Sequence, residues 1–239
     1  MSAAGSARDA ILASIRAQLA ASAPYDAGQH HAPVAKRDPL PLAPRSSMMD
    51  SLVQTNDDPA HRFMQQVTGV GASCEIVRDE RDAAACVARV LSTAGAKRVA
   101  SSGASLVRRV LAAAPLDVHV DEAEALSRDD LFACDAGVTT AQLAIAETGT
   151  LVLESAREKH RLLSLVPPVH IALLAARDIC DSLADVIARL AGTFKEPDVA
   201  SHAVTFITGP SRTSDIELTL TIGVHGPRTL HVIILESPT

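Results

Sequence analysis

The sequence has almost no aromatic surface. Its 239 residues contain no Trp, one Tyr and four Phe, 2% in all. A groove that stacks nucleobases needs several such rings, so single-stranded nucleic acid is disfavoured as a partner. There is no basic surplus either. Lys and Arg number 22 against 28 Asp and Glu, for a net charge of -6 at pH 7. Nothing in that balance steers the chain to a phosphate backbone. No stretch approaches the ~20 apolar residues of a membrane helix. Near the start, Arg8 and Asp9 stand where a signal peptide would need its apolar region. A cytoplasmic location is expected.

Missing motifs narrow the chemistry further. Cys74, Cys86, Cys134 and Cys180 are scattered and form no Cys-x-x-Cys pair. Neither an iron–sulfur run nor a zinc knuckle can be read from them. Buried, reduced thiols are the expectation, and no metal ligand set is assigned. No Gly-x-Gly-x-x-Gly follows the first strand, which disfavours NAD or FAD. A Walker loop and a Gly-x-Ser-x-Gly elbow are missing too. No cofactor is expected in this chain.

What is present is aliphatic. The hydrophobic fraction is 47%, so the core must be built from Val, Leu, Ile and Ala, as in a packed α/β sheet. Residues 6–20 have helical periodicity, with Ile11, Leu12, Ile15 and Leu19 on one face. Residues 22–47 carry Pro24, Pro33, Pro39, Pro41 and Pro44 and read as an extended arm; the adjacent His30 and His31 read as solvated. The chain therefore divides into an N-terminal helix and arm over residues 1–47 and an α/β domain over residues 48–239.

In that domain helices are expected over 58–67, 82–93, 106–114 and 181–190, with a short one opening at Ser127. Strands are expected over 73–77, 97–100, 118–120, 151–153, 169–174, 203–208 and 230–235. Residues 136–146 read as a strand leading into a helical or turn segment. The first-half strands lie about 20–25 residues apart, the spacing of parallel βαβ units. Later strands follow more closely, so the sheet is expected to be mixed.

Four polar clusters stand at strand ends. Glu147-Thr-Gly-Thr150 offers a carboxylate that can act as base or nucleophile, and a glycine that lets the backbone approach a ligand. The same turn is equally compatible with a solvated or capping Glu147. His160 and Arg161, followed by Ser164, offer a cation for a carboxylate or phosphate; a lone surface Arg is the bland alternative. His170 begins an apolar strand, where a satisfied core histidine is the usual outcome.

The third cluster, Gly209-Pro-Ser-Arg-Thr-Ser-Asp-Ile-Glu217, reads as an anion cradle. Arg212 supplies charge, Ser211, Thr213 and Ser214 supply donors, and a helix starting near Ser214 would add its dipole. Asp215 and Glu217 are two residues apart and would not share a helical face, so they make a poor acid/base pair. The fourth, Gly223-Val-His-Gly-Pro227, exposes His225 as an acid/base or ligand contact beside Gly226. A plain Gly/Pro turn is its bland reading.

Taken in order, these residues resemble a family. Gly137-Val-Thr-Thr-Ala-Gln-Leu-Ala-Ile-Ala-Glu-Thr-Gly-Thr150, Pro167 and Pro168 before His170, Thr208-Gly-Pro-Ser-Arg-Thr-Ser-Asp-Ile-Glu217 and Gly223-Val-His-Gly-Pro227 look like the lactate utilisation protein C family with its LUD domain. The resemblance covers about the C-terminal half. It implies a Rossmann-like three-layer α/β core of the NagB/RpiA/CoA transferase type with a mixed sheet. It also implies a part in oxidising L-lactate to pyruvate beside partner proteins that carry iron–sulfur clusters.

On that reading Glu147 and His225 are the catalytic candidates. Thr148, Gly149, Thr150, Arg161, Gly209, Ser211, Arg212, Thr213, Ser214, Asp215, Glu217 and Gly226 would bind a small carboxylate or phosphate. Two other classes stay open. One is a free-standing enzyme of the same fold acting on a sugar phosphate or acyl-CoA, with Glu147 as base or nucleophile. The other is a scaffold or regulator working through residues 1–47.

Overall fold

The structure is a computed structural model that describes residues 12–14, 16–17, 58–155, 161–193, 203–214 and 220–237. The chain divides into a unit of residues 1–55 and a unit of residues 56–239. In the first, Leu12, Ala13, Ser14, Arg16 and Ala17 are helical, in line with the expected helix. The proline-rich arm with His30 and His31 lies outside the described residues.

The larger unit is built on a six-stranded sheet. Its members are β1 (Ser73–Val77), β2 (Arg98–Ser101), β3 (His119–Glu122), β4 (Ala136–Ala141), β7 (Val169–Ala175) and β12 (Thr229–Leu235). They lie in the order β1-β12-β7-β4-β2-β3, and every pairing is parallel. A second sheet holds four short strands: β5 (Leu143–Ile145), β6 (Thr150–Glu154), β8 (Ile179–Cys180) and β9 (Val204–Ile207). There β5 pairs with β8 in parallel and β6 runs antiparallel to both β5 and β9. The expected mixture of strand directions is thus divided between a parallel central sheet and a small mixed one.

The central strands are buried on both faces, as parallel strands are. Their alternation sorts side chains between two cores. Ile171, Leu173, Ile233 and Leu235 join one core with Val87, Val90, Leu91, Val107 and Val110 of helices α2 (Glu80–Thr93) and α3 (Ser105–Ala113). Ala172, Leu174, Val232 and Ile234 join the other with Phe63 and Val67 of α1 (Pro59–Gly69) and with Ala144, Leu151 and Leu153 of the small sheet. Behind that sheet, Val186 and Leu190 of helix α5 (Leu183–Thr193) pack on Leu143, Ile145 and Val152. The layers are therefore helix, central sheet, and a mixed layer of α1 with the small sheet.

Local chemistry sets the helix starts. Pro59 occupies the first turn of α1, where its missing N–H costs nothing. Asp79 accepts the Arg81 and Asp82 amides at 2.9 and 3.0 Å, which starts α2 two residues before its apolar stripe suggests. Ser127 and Asp130 form a capping box at the short helix α4 (Arg128–Phe132).

Two segments differ from expectation. Residues 143–145 form a strand, because Leu143 and Ile145 face one core while Ala144 faces the other. A strand buried on both sides shows no polar alternation. Ser214 ends a strand: β10 (Arg212–Ser214) pairs antiparallel with β11 (Leu220–Ile222), and residues 215–219 between them lie outside the described residues. Among the described residues no helix is long and apolar enough to cross a membrane.

One glycine shows how closely the layers meet. Gly149, between β5 and β6, has φ +64°, and a Cβ there would lie 2.3 Å from the Val67 amide nitrogen of α1. Gly149→Ala should cost about 2–4 kcal/mol, from left-handed strain plus overpacking. Urea unfolding checks it; a loss under about 1 kcal/mol would show that α1 and the turn separate without strain.

Candidate functional site

The turn that opens at Gly209 follows β9, and the turn around Gly226 leads into β12. Main-chain bonds join them: the Ser211 N–H donates to the Pro227 carbonyl and the Gly223 N–H to the Ser211 carbonyl, both at 2.9 Å. Gly209 has φ +76°, and a Cβ there would lie 2.9 Å from the Val70 carbonyl, so the first turn sits hard against the end of α1.

Between the turns lies a cavity of about 420 Å³. Gly209, Ser211, Arg212, His225 and Gly226 line it from the turns; Ser164, His170, Thr205 and Thr208 complete its polar wall. That volume is in the range of small-molecule sites. His170 and Leu230, second residues of β7 and β12, form its floor, so the cavity lies at the amino ends of the central strands. Ligand crevices in parallel sheets usually lie at the carboxyl ends. A second cavity of about 360 Å³ is there, lined by Ser105, Arg109, Thr140, Gln142, Arg177 and Asp178. None of the residues expected from the sequence to form the site lines it.

The first cavity has an unusual charge balance: none of its described lining residues is acidic. The Arg212 guanidinium donates to the Val70 carbonyl at 2.5 Å, a neutral acceptor, and forms no ion pair among the described residues. His170 is buried, with Nε2 2.8 Å from the Thr139 hydroxyl. Burial pushes its pKa down to about 4, so near pH 7 it is a neutral imidazole. His225 is exposed at the rim. Hydroxyls, one guanidinium and two imidazoles without a carboxylate suit a small anion. The carboxyl-end cavity contrasts with this. It includes Asp178, and its Arg109 already donates to Glu80 at 2.8 Å.

The other expected site residues are distributed around this cavity rather than gathered in it. Glu147 accepts the Leu183 amide at 2.9 Å and so caps α5. Thr148, Thr150 and Thr208 form a chain of hydroxyls at 2.7 and 2.8 Å, which ties the Glu147 turn to the cavity wall through Thr208. Gly149 makes its close approach to α1. Arg161 has an exposed side chain, and its carbonyl accepts the Ser164 hydroxyl at 2.9 Å. Thr213 and Ser214 are in β10, and Thr213 does not line the cavity. His160, Asp215 and Glu217 lie outside the described residues.

Sequence reasoning placed His170 in the core. It is there, satisfied by Thr139, but it also floors the cavity. Thr205 was missed because β9 is too short to show which of its residues face a cavity, and Thr208 directly follows that strand.

Comparison with known proteins decides the family. A family model described as "LUD domain" matches residues 60–235, most of the chain. The chain belongs to the LUD domain family. It is 36% identical over 100 residues to lactate utilization protein C of Bacillus licheniformis, a stretch covering 42% of each protein. With that of Deinococcus radiodurans it shares 38% over 121 residues, 50% of this chain and 55% of the relative. With that of Geobacillus thermodenitrificans it shares 28% over 190 residues, 78% of this chain and 72% of the relative. The chain thus spans about half the length of the first two of these relatives. A crystal structure of a DUF162 family protein from Deinococcus radiodurans superposes with TM-score 0.57 at 24% identity, covering 74% of this chain and 96% of that one. At that identity it supports the fold of the LUD chain.

The buried imidazole sets a pH dependence. The folded pKa of His170 lies below its unfolded value near 6.5, so the unfolded chain binds the extra proton first. Stability is therefore complete above about pH 6.5 and falls as pH drops toward 4, by up to about 3 kcal/mol from this residue. Urea unfolding at pH 7 and pH 4.5 should show a smaller acid loss in His170→Gln than in the wild type. Equal losses would mean that His170 is protonated without cost.

Proposed function

We propose that this LUD-domain chain is a cytoplasmic lactate utilisation protein that binds a small carboxylate, of the size of L-lactate or pyruvate, in the cavity between the Gly209 and Gly226 turns. The observation that carries this reading is that, among the described residues, no acid lines the cavity wall around Arg212. The guanidinium pairs with the carboxylate in a charge-assisted contact. Hydroxyls of Ser164, Thr205, Thr208 and Ser211 are the donors and acceptors for the substituent on the neighbouring carbon. His225, exposed at the rim, is the imidazole placed to contact or exchange a proton with a bound acid. The relatives named as lactate utilisation proteins support the choice of ligand.

Oxidation of a 2-hydroxy acid to a 2-oxo acid releases two electrons and two protons. On this proposal the electrons pass to iron–sulfur partner proteins and this chain is the accessory subunit that holds the carboxylate. Its scattered cysteines suit that division of labour. A free-standing isomerase or transferase using Glu147 as base is less well supported, because Glu147 caps α5 and does not line the cavity.

Calorimetric titration with L-lactate, pyruvate and the uncharged lactamide tests the reading. The two carboxylates should bind and lactamide should not. Arg212→Gln should weaken carboxylate binding about tenfold or more, the cost of losing a charged hydrogen-bond partner. Failure of the wild type to bind either acid, or unchanged affinity in Arg212→Gln, contradicts the proposal.

A further inference from the structure

On the face of the central sheet that packs against α2 and α3, three ligating side chains from distant positions meet. Glu75 is in β1, Cys86 in α2 and His231 in β12, two residues before the core residue Ile233 on the same face. Their oxygen, sulfur and nitrogen ligand atoms all lie within 4.8 Å of one another. His231 Nε2 is 3.0 Å from Glu75 Oε1 and 3.8 Å from Cys86 Sγ. A tetrahedral zinc ion, with bonds of about 2.0–2.3 Å, holds such atoms roughly 3.3–3.6 Å apart. The observed separations bracket that range, so small side-chain movements suffice. Cys74, next in sequence to Glu75, packs with the opposite core and is not a fourth ligand.

We propose that Glu75, Cys86 and His231 form a zinc site of carboxylate, thiolate and imidazole, separate from the carboxylate cavity. The donor set argues for this metal. Sulfur with imidazole selects zinc over magnesium or calcium, which prefer all-oxygen shells. Cys86 and His231 are buried, whereas Glu75 is partly exposed, so the metal has a path in and a solvent-facing fourth position. Three protein ligands with one open position is the arrangement that leaves a zinc ion able to bind water or another small ligand.

Arg89 shows that the cluster already attracts a cation. Its guanidinium donates to Glu75 Oε2 at 2.5 Å and to Cys86 Sγ at 3.3 Å. The Arg89 side chain is 57% exposed, so it can turn into solvent when zinc takes over its charge. Zinc binds the thiolate, so metal binding releases the Cys86 proton.

Titration of the purified full chain with Co²⁺, followed by optical spectroscopy, tests the site. One Co²⁺ per chain should bind with a sulfur-to-cobalt charge-transfer band that Zn²⁺ then abolishes. Cys86→Ser should remove the band, Cys134→Ser should keep it, and Arg89→Gln should tighten binding severalfold. Glu75→Gln, at the exposed edge, should fold and weaken binding roughly tenfold or more, which keeps the test valid should Cys86→Ser not fold. No stoichiometric band in the wild type, a band that survives in Cys86→Ser, or unchanged affinity in Glu75→Gln would overturn the site.

Discussion

The register between β7 and β12 is the constraint on which the rest of the structure depends. The strands pair in parallel with Leu230 opposite His170, and each sends alternate residues into opposite cores. A slip of one residue would exchange the two cores wholesale, so the register is strongly specified. It is fixed at its start as well. The Arg228 and Thr229 amides both donate to the Pro168 carbonyl, at 2.8 and 3.2 Å. The turns before the two strands are thereby held side by side. That places Gly226 and His225 over Ser164 and His170 and closes the cavity floor.

The same sheet separates two chemistries by face and position. At the amino ends of β7 and β12 a wall whose described residues include no acid surrounds Arg212, which donates to a neutral carbonyl. One residue past Leu230, His231 leaves the cavity and joins Glu75 and Cys86 on the helix-covered face. The period of two thus sends consecutive residues of one strand to the cavity beside Arg212 and to the Glu75–Cys86 cluster. Burial keeps His170 neutral, so Arg212 is the fixed charge of the cavity and His170 serves as a hydrogen-bonding floor.

Much of the fold was legible in the sequence. Strands β7 and β12 are apolar runs bounded by turn residues, and helices α1, α2 and α5 show clear periodicity, so their ends fall within a few residues of expectation. What could not be read was short or non-local. Strands of two or three residues, such as β8 and β10, have no period to detect. Polar residues 209–217 signalled a site, but not that part of the segment pairs as a hairpin. Glu147 was equally readable as base or cap, and only the position of the Leu183 amide assigns it to capping. Glu75, Cys86 and His231 follow no ligand spacing; the pairing of β1 with β12 and the packing of α2 on the sheet bring them together.

The central claim is that the cavity beside Arg212 is where this LUD-domain chain holds its carboxylate. A crystal structure of the protein grown with L-lactate or pyruvate tests it most directly. The account predicts density for the acid with its carboxylate on the Arg212 guanidinium and its other end toward Ser164 and His170. Density instead at the carboxyl ends of β4 and β7, between Ser105 and Arg177, would contradict it.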